Sequence, residues 1–170
     1  MLDLSATIDP TAAAAGLSRD AAPFAVLRQA RAVGIRGALV SISAIDGGAP
    51  KPLGAHMAVL EDGRHVGHVS GGCVEAAIAA EVVPIIGRQT DEVVRFGKGS
   101  CFIDIRFPCG GGVDLLVHTR PDEALLDAAL ARFARRAAFA IAFDPATSSS
   151  RLVEAVRETG WGDGVFLPRH

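Results

Sequence analysis

The chain has 170 residues, of which 49% are hydrophobic, and its 17 basic and 19 acidic side chains leave a formal charge of −2. This length supports one buried core and is short for two ordinary domains. The near-neutral balance and the scattered cations disfavour binding to nucleic acid, and no apolar run is long enough to cross a bilayer. We therefore expect one globular domain that binds neither nucleic acid nor membrane.

The start of the chain, MLDLSATIDPTAAAAG, has acidic residues where a secretory signal would carry basic ones, so we expect a cytoplasmic protein. Cys73, Cys101 and Cys109 form an odd and sparse set in that reducing setting, which favours thiol chemistry or burial over a disulfide framework. Residues 1–20 are alanine-rich without clear periodicity. They predict a loose arm or a short helix, followed by an ordered domain over residues 21–170.

The first half of that domain predicts a helix, a strand and a hairpin. Asp20 can cap a helix that has Pro23 in its first turn and stops at Gly34. The apolar segment GALVSISAID then predicts a buried strand. AHMAVLEDGRHVGHVS predicts two strands joined by a turn at Asp62 and Gly63.

The second half predicts helices between further strands. CVEAAIAAEVVPIIG has helical spacing, although Pro84 is expected to end or bend this helix, and PDEALLDAALARFARRAA predicts a second one. Strands are predicted at DEVVRF, CFIDIRF, VDLLVHT, AFAIAFD, RLVEAV and GVFLPR. Because hairpins and helical crossovers both occur, we expect an α/β fold, a single domain with a mixed β-sheet packed by helices.

The segment SGGCVE is the first candidate for chemistry. Gly71 and Gly72 let a ligand approach the backbone closely, and N–H groups at the start of the following helix can bind an anion such as phosphate. Cys73 would have its thiolate stabilised there, and Glu75 can reach back to the cap backbone as in half of a capping box. The structural alternative is a glycine turn with a buried cysteine and a simple cap.

The segment PCGGG is the second candidate. Cys109 precedes Gly110, Gly111 and Gly112 between two predicted strands, so sulfur beside flexible backbone occurs twice in the chain, which favours a shared pocket. Cys101 is not followed by glycine and is interpreted as structural.

Other kinds of site find less support. His56, His65 and His68 could join the cysteines around zinc, but no CxxC or HxxxH pair exists, and His65 and His68 would point to opposite faces of a regular strand. No GxGxxG fingerprint follows a strand. A cysteine-dependent enzyme, either a hydrolase or a redox protein working through Cys73, stays open as the alternative function.

The segment PLGAHMAVLEDGRHVGHVSGGCVEAAI, followed by CGGGVDLLV, resembles the N-terminal domain of the XdhC/CoxI family, accessory proteins of xanthine dehydrogenase and related molybdenum hydroxylases. The resemblance covers about residues 38–119. It implies a chaperone, rather than an enzyme, that binds the molybdenum cofactor (molybdopterin) as cargo, protects it and delivers it to the hydroxylase. It also implies a cysteine desulfurase as a partner, and exposed sheet edges would permit a homodimer.

The resemblance further implies a set of cofactor-binding residues. The positions that match the family's blocks or lie beside them are Cys109, Gly110, Gly111, Cys73, Gly71, Gly72, Glu75, Gly54, Met57 and Lys51. Cys109 and Cys73 would make soft contacts to molybdenum, and the glycine turns would cradle the phosphate. Where the family often has an arginine before PGAxM, this chain has Lys51, which lacks the planar fork. Many relatives continue into a C-terminal Rossmann-like domain, which we expect this chain to lack.

Overall fold

The computed structural model describes residues 8–49, 51–102, 105–107, 109–144, 147–154, 161–162 and 165–166. The strands of the larger sheet are, in chain order, β1 (Gly37–Asp46), β2 (His56–Leu60), β3 (His65–Gly67), β4 (Glu92–Gly97) and β5 (Gly112–His118). Their spatial order is β3-β2-β1-β5-β4, with β1 at the centre. The predicted strand GALVSISAID and the predicted hairpin are therefore confirmed.

Four helices and a smaller sheet complete the described part of the chain. The helices are α1 (Pro10–Ala13), α2 (Ala22–Ala32), α3 (Glu75–Arg88) and α4 (Glu123–Ala134). The smaller sheet contains β6 (Phe139–Asp144), β7 (Ser149–Glu154), β8 (Trp161–Gly162) and β9 (Val165–Phe166), in the order β7-β6-β9-β8. None of the helices within the described residues has the length and apolar character needed to span a bilayer.

The central strand β1 is buried on both faces, which explains why apolar residues occur on both of its faces instead of alternating with exposed polar ones. Val40 and Ile42 belong to the hydrophobic cluster on the α3 side, together with Ile78 and Val82. Leu39 points the other way. It belongs to a second cluster, which α2, α4 and β6 build with Phe24, Leu126 and Phe139 as its largest fully buried members.

The expected α/β single domain is confirmed, but the sheet differs from the prediction in one respect. Every strand pairing within the described residues is antiparallel. The helix α3 connects β3 to β4, which run in the same direction but lie at opposite edges of the sheet. A helical crossover is therefore present without any parallel neighbours, and the prediction of a mixed sheet was wrong.

Three local predictions are also corrected. Residues 101–102 and 105–107 of the predicted strand CFIDIRF are not in a strand, while residues 103–104 lie outside the described residues. The first residue before α2 is Ala21 rather than Asp20, and it makes no side-chain cap. The helix α3 continues through Pro84 to Arg88, so Pro84 does not end it, and the alternative that Pro84 bends the helix stays a prediction.

The remaining predicted elements agree with the structure where it describes them. The helix α4 and the strands β4, β5 and β6 occur where they were expected, and RLVEAV overlaps β7. GVFLPR overlaps β9, and its other residues lie outside the described residues. Within residues 1–20, α1 is the short helix, and Ile8 before it is buried against the second cluster.

Candidate functional site

Three loops that carry the predicted site residues leave the larger sheet in the same direction. Residues 47–55 join β1 to β2, residues 68–74 follow β3, and residues 98–111 join β4 to β5. This arrangement follows from the topology, because β1, β3 and β4 are parallel in direction although they are not neighbours. The sheet therefore brings the PLGAHM, SGGCVE and CGGG segments to one end, which we call the cysteine end.

The two cysteine-bearing loops leave the sheet at staggered levels. Gly67, the last residue of β3, pairs with Met57 at the level of Val40 in β1, whereas Gly112 at the start of β5 pairs with Asp46. Six residues of strand separate these levels, which is about 20 Å at roughly 3.3 Å per residue. The strands β3 and β5 are also three positions apart in the sheet. These separations concern the strand ends and do not place the Cys73 thiol beside the Cys109 thiol, so the expected shared pocket stays a prediction.

The Cys109 loop packs directly against the residues that follow β1. The Cys109 thiol is exposed and donates a hydrogen bond to the Gly48 carbonyl oxygen at 3.0 Å. At Gly111 a side chain could not be accommodated, since a Cβ atom there would lie 1.9 Å from that same carbonyl oxygen. Gly110 has a φ of +70° and open space around it, so its backbone is accessible to a ligand.

Beside Cys109, a cavity of about 320 Å³ combines glycine backbone with two cations. It is lined by Gly97, Lys98, Arg106, Phe107, Gly110 and Gly111. The Lys98 N–H donates to the Gly111 carbonyl oxygen at 3.0 Å, which fixes the β4 turn against the CGG segment. The Lys98 ammonium lies 3.9 Å from the Asp46 carboxylate, and Arg106 is exposed. We call this cavity the Lys98–Arg106 pocket.

Arg95 holds the strand ends around this pocket together. Its guanidinium contacts Asp46 at 2.9 Å and Asp114 at 3.1 Å, and its Nε donates to the Lys98 carbonyl oxygen at 3.0 Å. The side-chain hydrogen bond with Asp114 is the main cause that raises the pKa of Arg95. Arg95 thereby ties β4 to the ends of β1 and β5 and positions the turn that carries Lys98.

The other end of the 47–55 loop lines a second cavity, of about 350 Å³. Its lining is Arg19, Asp20, Lys51, Pro52, Leu53, Gly54, Ala55, His56 and His68. Gly54 adopts a φ of +78°, and its N–H donates to the Ile42 carbonyl oxygen at 2.9 Å. His68 lies two residues before Ser70, the first residue of the SGGCVE segment. The 47–55 loop therefore contacts Cys109 near its start and shares a cavity with His68 near its end.

Glu75 is the last residue of the SGGCVE segment, and its side chain faces the interior of the protein. Its side chain is only 4% exposed, and its carboxylate accepts hydrogen bonds from the N–H groups of Val69, Ser70, Gly71 and Val74 at 2.8–3.2 Å. The Ser70 hydroxyl donates to it at 2.7 Å. Burial acts to raise the pKa of Glu75, but the hydrogen bonds from Ser70 and the backbone outweigh it and lower the pKa to about 2.

This arrangement corrects the predicted anion cradle at Gly71 and Gly72. The N–H group of Gly71, which was expected to bind a phosphate, already donates to an anion of the protein itself, as do those of Ser70 and Val74. The prediction that Glu75 reaches back to the backbone is confirmed, although it does so from the first position of α3 rather than the third. Both glycines have positive φ angles, +103° and +109°, so they shape a loop that wraps around the carboxylate.

The remaining predicted residues divide into exposed and buried ones. Cys73 is exposed two residues before α3, and Cys101 is exposed as well, so burial is wrong for all three cysteines. Met57 is completely buried in the α3-side cluster and offers no surface to a ligand. Lys98 and Arg106 were not among the site residues predicted from the sequence. The signal was present, because both cations lie within the short segment between β4 and the CGGG turn.

Comparisons with known proteins agree with this architecture. The model of the XdhC and CoxI family matches residues 24–97, which contain the hairpin, the SGGCVE segment and α3. These residues belong to the XdhC and CoxI family. A curated relative, the molybdenum cofactor insertion chaperone PaoD of Escherichia coli strain K12, is 43% identical over 128 residues. The matched region covers 75% of this chain but only 40% of PaoD.

A solved structure supports the fold of this family segment and of the residues after it. The crystal structure of a xanthine dehydrogenase from Bacillus halodurans superimposes with a TM-score of 0.54, covering 84% of this chain and 46% of that chain. The two sequences are 19% identical, so this likeness concerns the fold alone. The matched part of the chain thus spans less than half the length of both known proteins.

Proposed function

We propose that this chain is a molybdenum cofactor-binding accessory protein, a chaperone that protects the cofactor and delivers it to xanthine dehydrogenase or a related molybdenum hydroxylase. The family segment and the 43% identity to a molybdenum cofactor insertion chaperone support this role. The observation that carries the proposal is the Lys98–Arg106 pocket, where two cations and glycine backbone lie beside the exposed Cys109 thiol.

The chemistry of the pocket suits this cargo. Molybdopterin carries a phosphate together with a metal held by sulfur ligands, so it needs a cationic contact and a soft contact within one small region. Lys98 and Arg106 supply positive charge for the phosphate, and Arg106 adds the fork geometry that suits its oxygens. Cys109 supplies the soft sulfur for molybdenum. Gly110 adds backbone that no side chain shields.

We assign the predicted residues different parts in this proposal. Cys109, Gly110 and Gly111 form the main contact region, with Lys51 and Gly54 in the second cavity as an extension along the 47–55 loop. Cys73 stays in the proposal as an exposed thiol, five residues after His68, which lines that second cavity. Met57 and Glu75 act through the fold, because the first fills the core and the second holds the Gly71–Gly72 loop.

The partners and the setting are part of the same proposal. They comprise a molybdenum hydroxylase as the recipient, a cysteine desulfurase as the source of the sulfur ligand, a homodimeric state and a cytoplasmic location. The domain assignment, with residues 21–170 as the cofactor-binding unit, belongs to it as well. The cysteine-dependent enzyme remains the competing prediction, and no contact in the described residues favours it over the chaperone.

The proposal is tested by purifying the chain from a host that makes the cofactor and measuring molybdenum by elemental analysis and pterin by fluorescence. We expect both in the wild-type protein, and a loss of both in Cys109→Ala and in the double variant Lys98→Gln, Arg106→Gln. Cys101→Ala is the matched control, because Cys101 is also exposed, but neither of its chain neighbours lines the Lys98–Arg106 pocket, whereas Cys109 directly precedes the lining residue Gly110. Absence of molybdenum and pterin from correctly folded wild-type protein would refute the proposal.

The same measurement separates the role of sulfur from that of charge. If the double variant Cys73→Ala, Cys109→Ala retains all of its molybdenum after desalting, sulfur has no part in binding. If only the Lys98 and Arg106 substitutions release the cofactor, the pocket binds the phosphate and leaves the metal exposed for transfer.

A further inference from the structure

A third cavity, of about 280 Å³, lies at the end of the larger sheet opposite the cysteine end. It is lined by Leu27, Arg31, Gly34, Ile35, Arg36, Gly37, Ile86, Gln89, Thr119, Arg120, Pro121 and Leu126. These residues come from the start of β1, the end of β5 and the adjoining ends of α2, α3 and α4. The ten residues of β1 separate this cavity from the cysteine end by about 30 Å. Neither proposed cofactor contact reaches it.

The charge of this cavity is one-sided. Three arginines line it and no acidic residue does. Arg36 is neutralised by an ion pair with Glu61 at 2.7 Å, and Arg31 donates to the Pro121 carbonyl oxygen at 3.4 Å. Arg120 is exposed and forms no ion pair within the described residues. Positive charge therefore remains at the mouth of the cavity.

The nearest acidic residues of α4 do not offset this charge, because each has another partner. The Asp122 carboxylate accepts the Leu125 N–H at 2.7 Å as the cap of α4. Glu123 and Asp127 both form ion pairs with Arg28. Arg31 lies in the last turn of α2, where a cation complements the helix dipole, and that structural role accounts for one arginine. It does not account for Arg120, which follows β5.

The floor of the cavity is apolar. Leu27, Ile86 and Leu126 are almost completely buried and present their side chains to it. Ligand sites typically combine such an apolar lining with a few converging polar groups. The volume of about 280 Å³ and the five elements that line it fit a small molecule better than a polypeptide segment.

We propose that this cavity, which we call the arginine cavity, is a second binding site that takes a small organic anion with an apolar body and one phosphate head. Arg120 and Arg31 bind the head, and Leu27, Ile86 and Leu126 contact the body. The site is separate from the proposed cofactor site, so a failure of one proposal leaves the other intact.

The test uses phenyl phosphate as the probe and two-dimensional amide NMR of the whole chain as the measurement. We expect saturable shifts at Arg31, Gly34, Thr119 and Arg120, with a Kd on the order of 1 mM, and weaker binding of inorganic phosphate, which lacks the ring. Arg120→Gln should weaken phenyl phosphate binding at least about tenfold. Arg135→Gln, which removes an exposed arginine from the end of α4, should leave the Kd unchanged.

Four outcomes would overturn the inference. Absence of saturable shifts up to about 10 mM phenyl phosphate excludes the site, as does an Arg120→Gln protein that binds like the wild type. Binding of hexaglutamate, with no binding of phenyl phosphate, would also overturn it, because the surface would then recognise an acidic peptide. Equal weakening by Arg120→Gln and Arg135→Gln would reduce the effect to net charge and contradict a specific site.

Discussion

Replacing Glu75 by glutamine should destabilise the protein more than any surface substitution, although Glu75 lies in the segment that the sequence marks as a ligand site. The carboxylate is the common acceptor for backbone N–H groups of Val69, Ser70, Gly71 and Val74. Glutamine has a similar shape but no charge, and its NH₂ group would face N–H donors. Some of these donors would then be buried without an acceptor, which is costly.

The magnitude follows from the pKa. Glu75 has a pKa of about 2 in the folded protein against a model-compound value of 4.5. At about 1.4 kcal/mol per pKa unit, the ionised carboxylate stabilises the fold by about 3 kcal/mol. Because the folded-state pKa is the lower one, this contribution is complete above the unfolded value and is lost as the pH falls from about 4.5 towards 2. The Glu75→Gln protein should therefore lose this part of the acid dependence.

The assay is urea unfolding followed by far-UV circular dichroism at several pH values between about 2.5 and 7. Glu81→Gln is the matched control, because Glu81 is exposed on the same helix α3. We expect about 3 kcal/mol lost in Glu75→Gln at pH 7, and less than about 0.5 kcal/mol in Glu81→Gln. If the two variants unfold at the same urea concentration, or if Glu75→Gln keeps the wild-type acid dependence, the inward-facing role assigned to Glu75 is wrong.

Three shorter predictions follow from other contacts. Gly111→Ala should lower the free energy of unfolding by about 2–3 kcal/mol in urea titrations, because its Cβ would lie 1.9 Å from the Gly48 carbonyl oxygen; an unchanged midpoint would contradict this packing. Asp91→Asn should cost about 2 kcal/mol at pH 7, since the buried carboxylate bonds His118 at 2.8 Å. Burial opposes ionisation, but hydrogen bonds from His118 and its neighbour lower the pKa of Asp91, so this deficit should shrink as the pH falls below about 4. For the competing enzyme hypothesis, iodoacetamide labelling at pH 7 should show Cys73 reacting no faster than Cys101, and a much faster reaction would favour the enzyme.

The sequence predicted the elements whose pattern depends on local chemistry. The boundaries of β1 agree with GALVSISAID, because a long apolar run bounded by glycines leaves few alternatives for a strand buried on both faces. The hairpin between β2 and β3 was predictable from the Asp62–Gly63 turn. Both signals lie within a few residues of the element that they specify.

One predicted strand is absent because tertiary packing produced the alternation of buried and exposed residues that is typical of a strand. CFIDIRF alternates like a strand, and Ile105 and Phe107 are indeed buried with Arg106 exposed between them. However, the described residues of this segment make no ladder, so the alternation reflects an irregular segment that packs two side chains onto the α3-side cluster. The parallel pairing expected from α3 does not occur between the described strands, because α3 connects β3 and β4, which lie at opposite edges of the sheet.

At the candidate site, the sequence identified the loops but not the directions of their side chains. A glycine pair followed by Cys73 and Glu75 is compatible with an empty anion cradle and with a loop that surrounds its own carboxylate. Only the hydrogen bonds of Glu75 distinguish these two cases. Lys98 and Arg106 lie between β4 and the CGGG turn, but they were not predicted, because the sequence does not show that Gly97 pairs with Gly112 and so places the turn after β4 against the CGG segment.

The inward orientation of Glu75 changes how the two cysteines should be regarded. The N–H groups of Ser70 and Gly71 already donate to an internal carboxylate, so this loop has little capacity to bind a phosphate. Cys73 lies in the same loop, and the SGGCVE segment contains no cation. Cys109 is the reverse case, because its thiol lies beside the Lys98–Arg106 pocket and, among the described residues, is held by one weak bond to Gly48. If a metallopterin binds at the cysteine end, the phosphate and the first sulfur contact should therefore both lie at the CGG segment. Cys73 can then contribute only if its loop and the 47–55 loop, which contacts Cys109 and shares a cavity with His68, move towards each other.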